Sequence, residues 1–157
     1  MPLNRDHLGR STTSSEPFEV TRGDIRRFAT AIGDTSPAYH DRAAAQALGH
    51  RDLVAPPTFL ITLGMSTQAD LITDPGLGLD YSLVVHGEQS FELHRAVCAG
   101  DQLDTVTRID GMRDAGRNEL LSVVTEVRCD GQHVATATNT IVSRGTAAPR
   151  PAAPVQA

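Results

Sequence analysis

The chain has 157 residues, 39% of them apolar and 21% charged, with a formal net charge of −5. That length fits one domain and buries enough surface to fold without a disulfide or metal staple. The 14 basic residues are all Arg and scattered, aromatics are only 4%, and no apolar run nears the roughly 20 residues of a membrane helix, which excludes a nucleic-acid footprint and a membrane span.

Residues 1–16 are polar, have no apolar core of the kind a secretory signal carries, and are expected to form a flexible arm. A cytoplasmic chain is expected. Thr21 with Asp24 predicts a helix N-terminus. Ile25, Phe28, Ala29 and Ile32 then follow on one helical face, and Gly33 stands where a C-cap belongs. Asp34-Thr35-Ser36-Pro37 reads as a turn. A short Ala-rich helix over residues 42–48 follows, capped by Asp41 and stopped by Gly49. Pro56-Pro57-Thr58 opens a third helix, since Pro is favoured where its missing N–H is not needed. That helix is expected over residues 57–72, apolar around most of its circumference and buried on nearly all sides.

From Ser82 onward the texture is that of strands: 83–94, broken at Gly87, then 102–112, 119–129 and 133–143. Asp130-Gly131 marks a hairpin, and Val134, Thr136, Thr138, Thr140 and Val142 share one face. Residues 146–157 are Ala/Pro-rich and expected to be disordered. The layout is an α+β class, with a folded domain over 17–145. A long apolar helix wrapped by a curved antiparallel sheet would be a single hot-dog fold.

Three places could carry chemistry. Asp34 and His40 flank a Pro turn, and a carboxylate can orient an imidazole that moves a proton. The same residues also fit a plainer arrangement, with Asp34 forming the turn, Asp41 capping a helix and His40 on the surface. The helix start at Pro57 and Thr58 could hold a developing oxyanion with its free N–H groups, or be a helix start only. Gly87, after His86, marks a bulge or close backbone approach, or a kinked edge. Gly76-x-Gly78 lacks a preceding strand and a third glycine, so no dinucleotide loop is expected. The dispersed His residues and the two cysteines, Cys98 and Cys129, lack metal-ligand spacing, so no metal site is expected and the thiols read as reduced and buried.

Three blocks carry a resemblance. They are Phe28 to Asp41 followed by Leu53-Val54-Ala55-Pro56-Pro57-Thr58-Phe59, then His86-Gly87-Glu88-Gln89-Ser90-Phe91-Glu92-Leu93-His94, then Ala99-Gly100-Asp101-Gln102-Leu103. Over about residues 8–144 the chain resembles the N-terminal MaoC-like (FAS1-like) dehydratase family, in particular the single-hot-dog subunits of actinobacterial (3R)-hydroxyacyl-thioester dehydratases. The resemblance implies a hot-dog fold and assembly as a homodimer or as a heterodimer with a second hot-dog subunit. It further implies acyl-CoA or acyl-carrier-protein thioesters as ligands, with no tightly held cofactor. The family's chemistry is reversible addition of water to a trans-2-enoyl thioester, which would assign catalysis to Asp34 and His40. Pro57, Thr58, Phe59, Leu63, His86 and Gly87 would bind substrate, with Met65 beside Leu63 along the acyl channel.

Two departures stand out against the Asp-x-Asn-Pro-x-His of R-specific hydratases. Ser36 replaces the Asn, and both Ala38 and Tyr39 stand between Pro37 and His40. One extra residue displaces a side chain by about 3.3 Å in extended chain. Subunits that depart in this way often form the non-catalytic half of a heterodimer. The chain therefore reads as an acyl-binding partner subunit or as a self-sufficient hydratase. A hot-dog protein reassigned to polyketide or other natural-product dehydration or cyclisation is the third reading.

Overall fold

The structure, a computed structural model, describes residues 1–148, without the side chains of Met65 and Ser66. Its frame is a six-stranded antiparallel sheet. The strands are β1 (Ser11–Thr13), β2 (Phe18–Glu19), β3 (Val84–Leu93), β4 (Gln102–Ala115), β5 (Asn118–Cys129) and β6 (Gln132–Ser143). The order is β1-β4-β5-β6-β3, with β2 also on β4, so β3 is an outer strand.

Alternation sets the buried face. Along β5, Leu121, Val123, Thr125, Val127 and Cys129 are buried, and along β4 Leu103, Thr105, Thr107 and Ile109, the period of two that a pleated strand imposes. On β6 the buried set is Val134, Ala135, Ala137, Ile141 and Ser143. The Thr-rich face picked out by its sequence pattern is therefore, apart from Val134, the less buried one.

Helix α1 (Arg22–Ala31) begins with a complete capping box between Thr21 and Asp24, and α2 (Arg42–Ala47) begins on the Asp41 carboxylate, which accepts the Ala43 N–H at 2.7 Å. The single helix expected over residues 57–72 is instead a set of turns leading into α3 (Ile61–Thr67) and, after a break at Gln68, α4 (Ala69–Ile72). Phe59 N–H bonds the Pro56 carbonyl and Ile61 N–H the Thr58 carbonyl, tight three-residue turns rather than α-helical ones. The β-branched Ile61 and Thr62 and the interior Gly64 weaken the helix that follows. Thr58 and Thr62 are exposed, so the segment is buried on one side rather than all round.

The flexible arm expected over residues 1–16 is part of the sheet. Ser11 to Thr13 pair with Arg108 to Val106. Leu3 is buried and donates its N–H to the Glu119 carboxylate at 2.8 Å, and Arg5 reaches the same carboxylate at 2.9 Å. Of the disordered tail expected over 146–157, residues 149–157 lie outside the described residues. At its start, Thr146 is buried and donates to the Ser143 carbonyl.

Two apolar clusters gather the buried face of the sheet and the residues packed on it. One gathers Ile25, Leu53, Phe59, Leu60, Leu103 and Val127, and the other Leu3, Leu71, Leu77, Ile109, Leu121 and Ile141. Polar contacts under α3 include a hydroxyl chain from Thr67 through Thr107 to Thr125 at 3.1 and 2.9 Å. The candidate site lies beside the first cluster. Cys98 and Cys129 are free and buried, and burial pushes both thiols above their ordinary pKa.

Candidate functional site

Gly33 governs the first candidate. It takes a left-handed conformation with φ 74°, which L side chains disfavour. Its N–H bonds the Thr30 carbonyl and the Asp34 N–H bonds the Ala29 carbonyl, a Schellman end that turns the chain back across α1. The Asp34 carboxylate then accepts the Ser36 N–H at 3.0 Å, so it forms the turn. His40 comes round the Pro37–Tyr39 turn and places Nε2 3.1 Å from the Asp34 carbonyl oxygen. A carbonyl only accepts, so this contact holds the proton on Nε2. The imidazole is thus oriented by main chain, and no hydrogen bond joins it to the Asp34 carboxylate.

Gly49 repeats the device at the end of α2, with φ 88°. Its N–H bonds the Gln46 carbonyl and the His50 N–H the Ala45 carbonyl. The result is that α1 presents Asp34 and α2 presents His50 at equivalent points just past their ends.

Beside the α2 end lies a cavity of about 250 Å³. Ser36, Tyr39 and His50 give it a polar side, and Pro57, Phe59 and Leu93 belong to its largely apolar remainder. Burial, with the Asp34 charge second, pushes the Tyr39 phenol above its ordinary pKa, which keeps it a neutral hydrogen-bond donor. Asp34 and His40 themselves are not among the residues lining this cavity.

The remaining site residues read from the sequence are dispersed. Pro57 and Phe59 line the cavity, whereas Thr58 is exposed and does not. Leu63 borders a different space of about 330 Å³ with Phe18, Thr67 and Leu103. The Met65 side chain lies outside the described residues. His86 and Gly87 are exposed on the outer strand β3, and the His86 ring bonds the Glu88 carbonyl at 3.1 Å. Gly87 does mark a bulge, since the β3–β6 register shifts between His86 and Glu88. Sequence reasoning passed over Tyr39 and His50. The signal for His50 was present: a residue following a left-handed helix stop turns back over the helix end.

Known proteins agree with this architecture. The family model for the FAS1-like dehydratase domain region matches residues 6–137. A UPF0336 protein of Parafrankia sp. is 54% identical over 156 residues, covering 96% of this chain and 100% of the relative. A UPF0336 protein of Saccharopolyspora erythraea is 45% identical over 148 residues, covering 94% and 95%. Among solved structures, a MaoC-like dehydratase superposes with TM-score 0.84 at 29% identity, over 88% of this chain and 42% of its own length. This chain thus spans less than half of that protein. The HadBC (3R-hydroxyacyl-ACP dehydratase) complex from Mycobacterium tuberculosis superposes with TM-score 0.81 at 29% identity, over 89% of this chain and 99% of the matched chain. With a single hot-dog fold, and a family model and close relatives that match nearly its whole length, the chain belongs to the FAS1-like dehydratase-region family.

Proposed function

We propose that this chain is the acyl-binding subunit of a (3R)-hydroxyacyl-thioester dehydratase, whose proton-transferring Asp/His pair is supplied by a second hot-dog subunit. The reaction, reversible addition of water to an enoyl thioester, needs a base on the attacking water and an acid at the α-carbon. It involves no net oxidation or reduction and asks for no redox cofactor. The observation that carries the reading is the Asp34–His40 geometry. The carboxylate is committed to the Ser36 N–H and the His40 Nε2–H to a main-chain carbonyl, so the pair is not assembled as a carboxylate-oriented base.

What the chain offers instead is a pocket. Apolar walls suit an acyl chain, and Tyr39, Ser36 and His50 can hydrogen-bond a thioester or hydroxyl oxygen near its polar side. Coenzyme A or a carrier protein would deliver the acyl group. The outer strand β3, with Val85 and Leu93 exposed on it, offers an edge along which a second hot-dog chain can pair. The match to a chain of the HadBC complex supports assembly with such a partner.

The test is crotonyl-CoA hydration by the purified chain alone, beside its Asp34→Asn and His40→Ala variants, with butyryl-CoA binding measured on the same samples. Binding without turnover is expected in all three. Turnover by the unmodified chain that both variants abolish would overturn the reading in favour of a self-sufficient hydratase.

A further inference from the structure

Phe59 stands between two apolar spaces. Its side chain is 2% exposed. One side of it borders the 250 Å³ cavity described above. Another borders a groove of about 370 Å³ formed with Phe18, Phe28, Ala31 and Thr62 and edged by the Asp24–Arg27 ion pair. Two rings hold it in place. Phe28 meets it edge-on, with centroids 5.6 Å apart at 84°, and Phe18 stands 6.4 Å away at 54°. These clamps come from separate elements, α1 and β2, and β2 is itself fixed by pairing Phe18 with Leu103. A ring held by two others in offset geometry resists rotation.

The groove has no evident task of its own, yet it is apolar and open. Phe18 is 37% exposed and Phe28 half-buried. The cavity, at about 250 Å³, lies just below the usual range for small-molecule sites, ~300–1,000 Å³.

We propose that Phe59 is the barrier limiting the length of alkyl chain this pocket admits, and that the groove along Phe18, Phe28 and Ala31 is the space into which a longer chain passes once the ring is cut back. The inference rests on the reading above in taking an acyl thioester as the pocket's natural occupant. The barrier itself is a property of the packing.

Calorimetric titration of the full chain with butyryl-CoA, dodecanoyl-CoA and free decanoate tests it. A single extra methylene against an apolar wall changes affinity by roughly tenfold or more, so the unmodified chain should favour butyryl-CoA over dodecanoyl-CoA by at least about that factor. Phe59→Leu, which leaves a smaller void in the core than Phe59→Ala, should erase most of that preference by gaining the longer ligand. Adding Ala31→Trp to fill the groove should restore it. An unchanged length preference in Phe59→Leu, or equal affinity for both thioesters in the unmodified chain, would overturn the proposal. Decanoate bound by Phe59→Leu but not by the unmodified chain, with no acyl-CoA bound by either, would support the barrier and sink the thioester reading.

Discussion

The Asp101 side chain has no exposed surface, and three groups keep it charged there. It accepts from the Arg95 guanidinium at 2.9 and 3.1 Å, from the Cys98 N–H at 2.9 Å, and from Arg51. Burial pushes its pKa up, but the Arg95 bond, the Cys98 N–H and the charges of Arg95 and Arg51 outweigh burial and hold it below the ordinary value. A depressed folded pKa contributes stability above the unfolded pKa near ~3.9 and loses it as pH falls through the folded value. Asp101→Asn should therefore destabilise the chain at neutral pH by about 1–3 kcal/mol. In urea titrations the gap between the two proteins should narrow only below about pH 4. A gap that stayed constant to strongly acidic pH would contradict this account. None of it was legible in the sequence, where Asp101 is one acidic residue in a loop and its partner Arg51 lies 50 positions upstream. The Asp34–His40 pair was partly legible. The extra residue before His40 pointed to a displaced ring, but only the Schellman end at Gly33 explains why the ring meets the Asp34 carbonyl.

At the scale of elements, two glycines at sheet bulges make a useful contrast. The β4–β5 register shifts near Gly111 and the β3–β6 register near Gly87. A Cβ at Gly87 would stand 2.9 Å from Val142 Cγ2 and 3.1 Å from the Thr140 carbonyl oxygen, whereas one at Gly111 would find its nearest neighbour, Ser122 Cβ, at 3.6 Å. Gly87→Ala should cost about 1–3 kcal/mol, as overpacking does. Gly111→Ala, making an ordinary contact, should stay within about 0.5 kcal/mol of the unmodified chain. Equal losses in chemical denaturation would refute the close approach at Gly87. The bulge itself was readable, because Gly interrupts an otherwise strand-like run. The N-terminal strands were not, because β1 and β2 have three and two residues, too few for alternation to show. The 57–72 segment misled because apolar composition signals burial but not helical continuity.

For the molecule as a whole, the strand-like texture from Ser82 onward made the long strands β4, β5 and β6 legible, and with them the fold class. The pocket was not legible, because it is made where the Ser36–Tyr39 turn, the Schellman end at Gly49, the Pro56–Leu60 turns and the outer strand converge, and no single segment carries it. Among the described residues no helix is long and apolar enough to cross a membrane. The arrangement gives this chain a largely apolar pocket and an open sheet edge, while its own carboxylate and imidazole are engaged with main chain. Its central claim is that the proton-transferring pair belongs to another subunit. The most direct measurement is crotonyl-CoA hydration by this chain co-purified with a hot-dog partner that carries Asp-x-Asn-Pro-x-His, with Asp34→Asn and His40→Ala combined in this chain only. The account predicts a rate within about twofold of the unmodified complex; a loss of about a hundredfold or more, the size of a missing general acid or base, would contradict it.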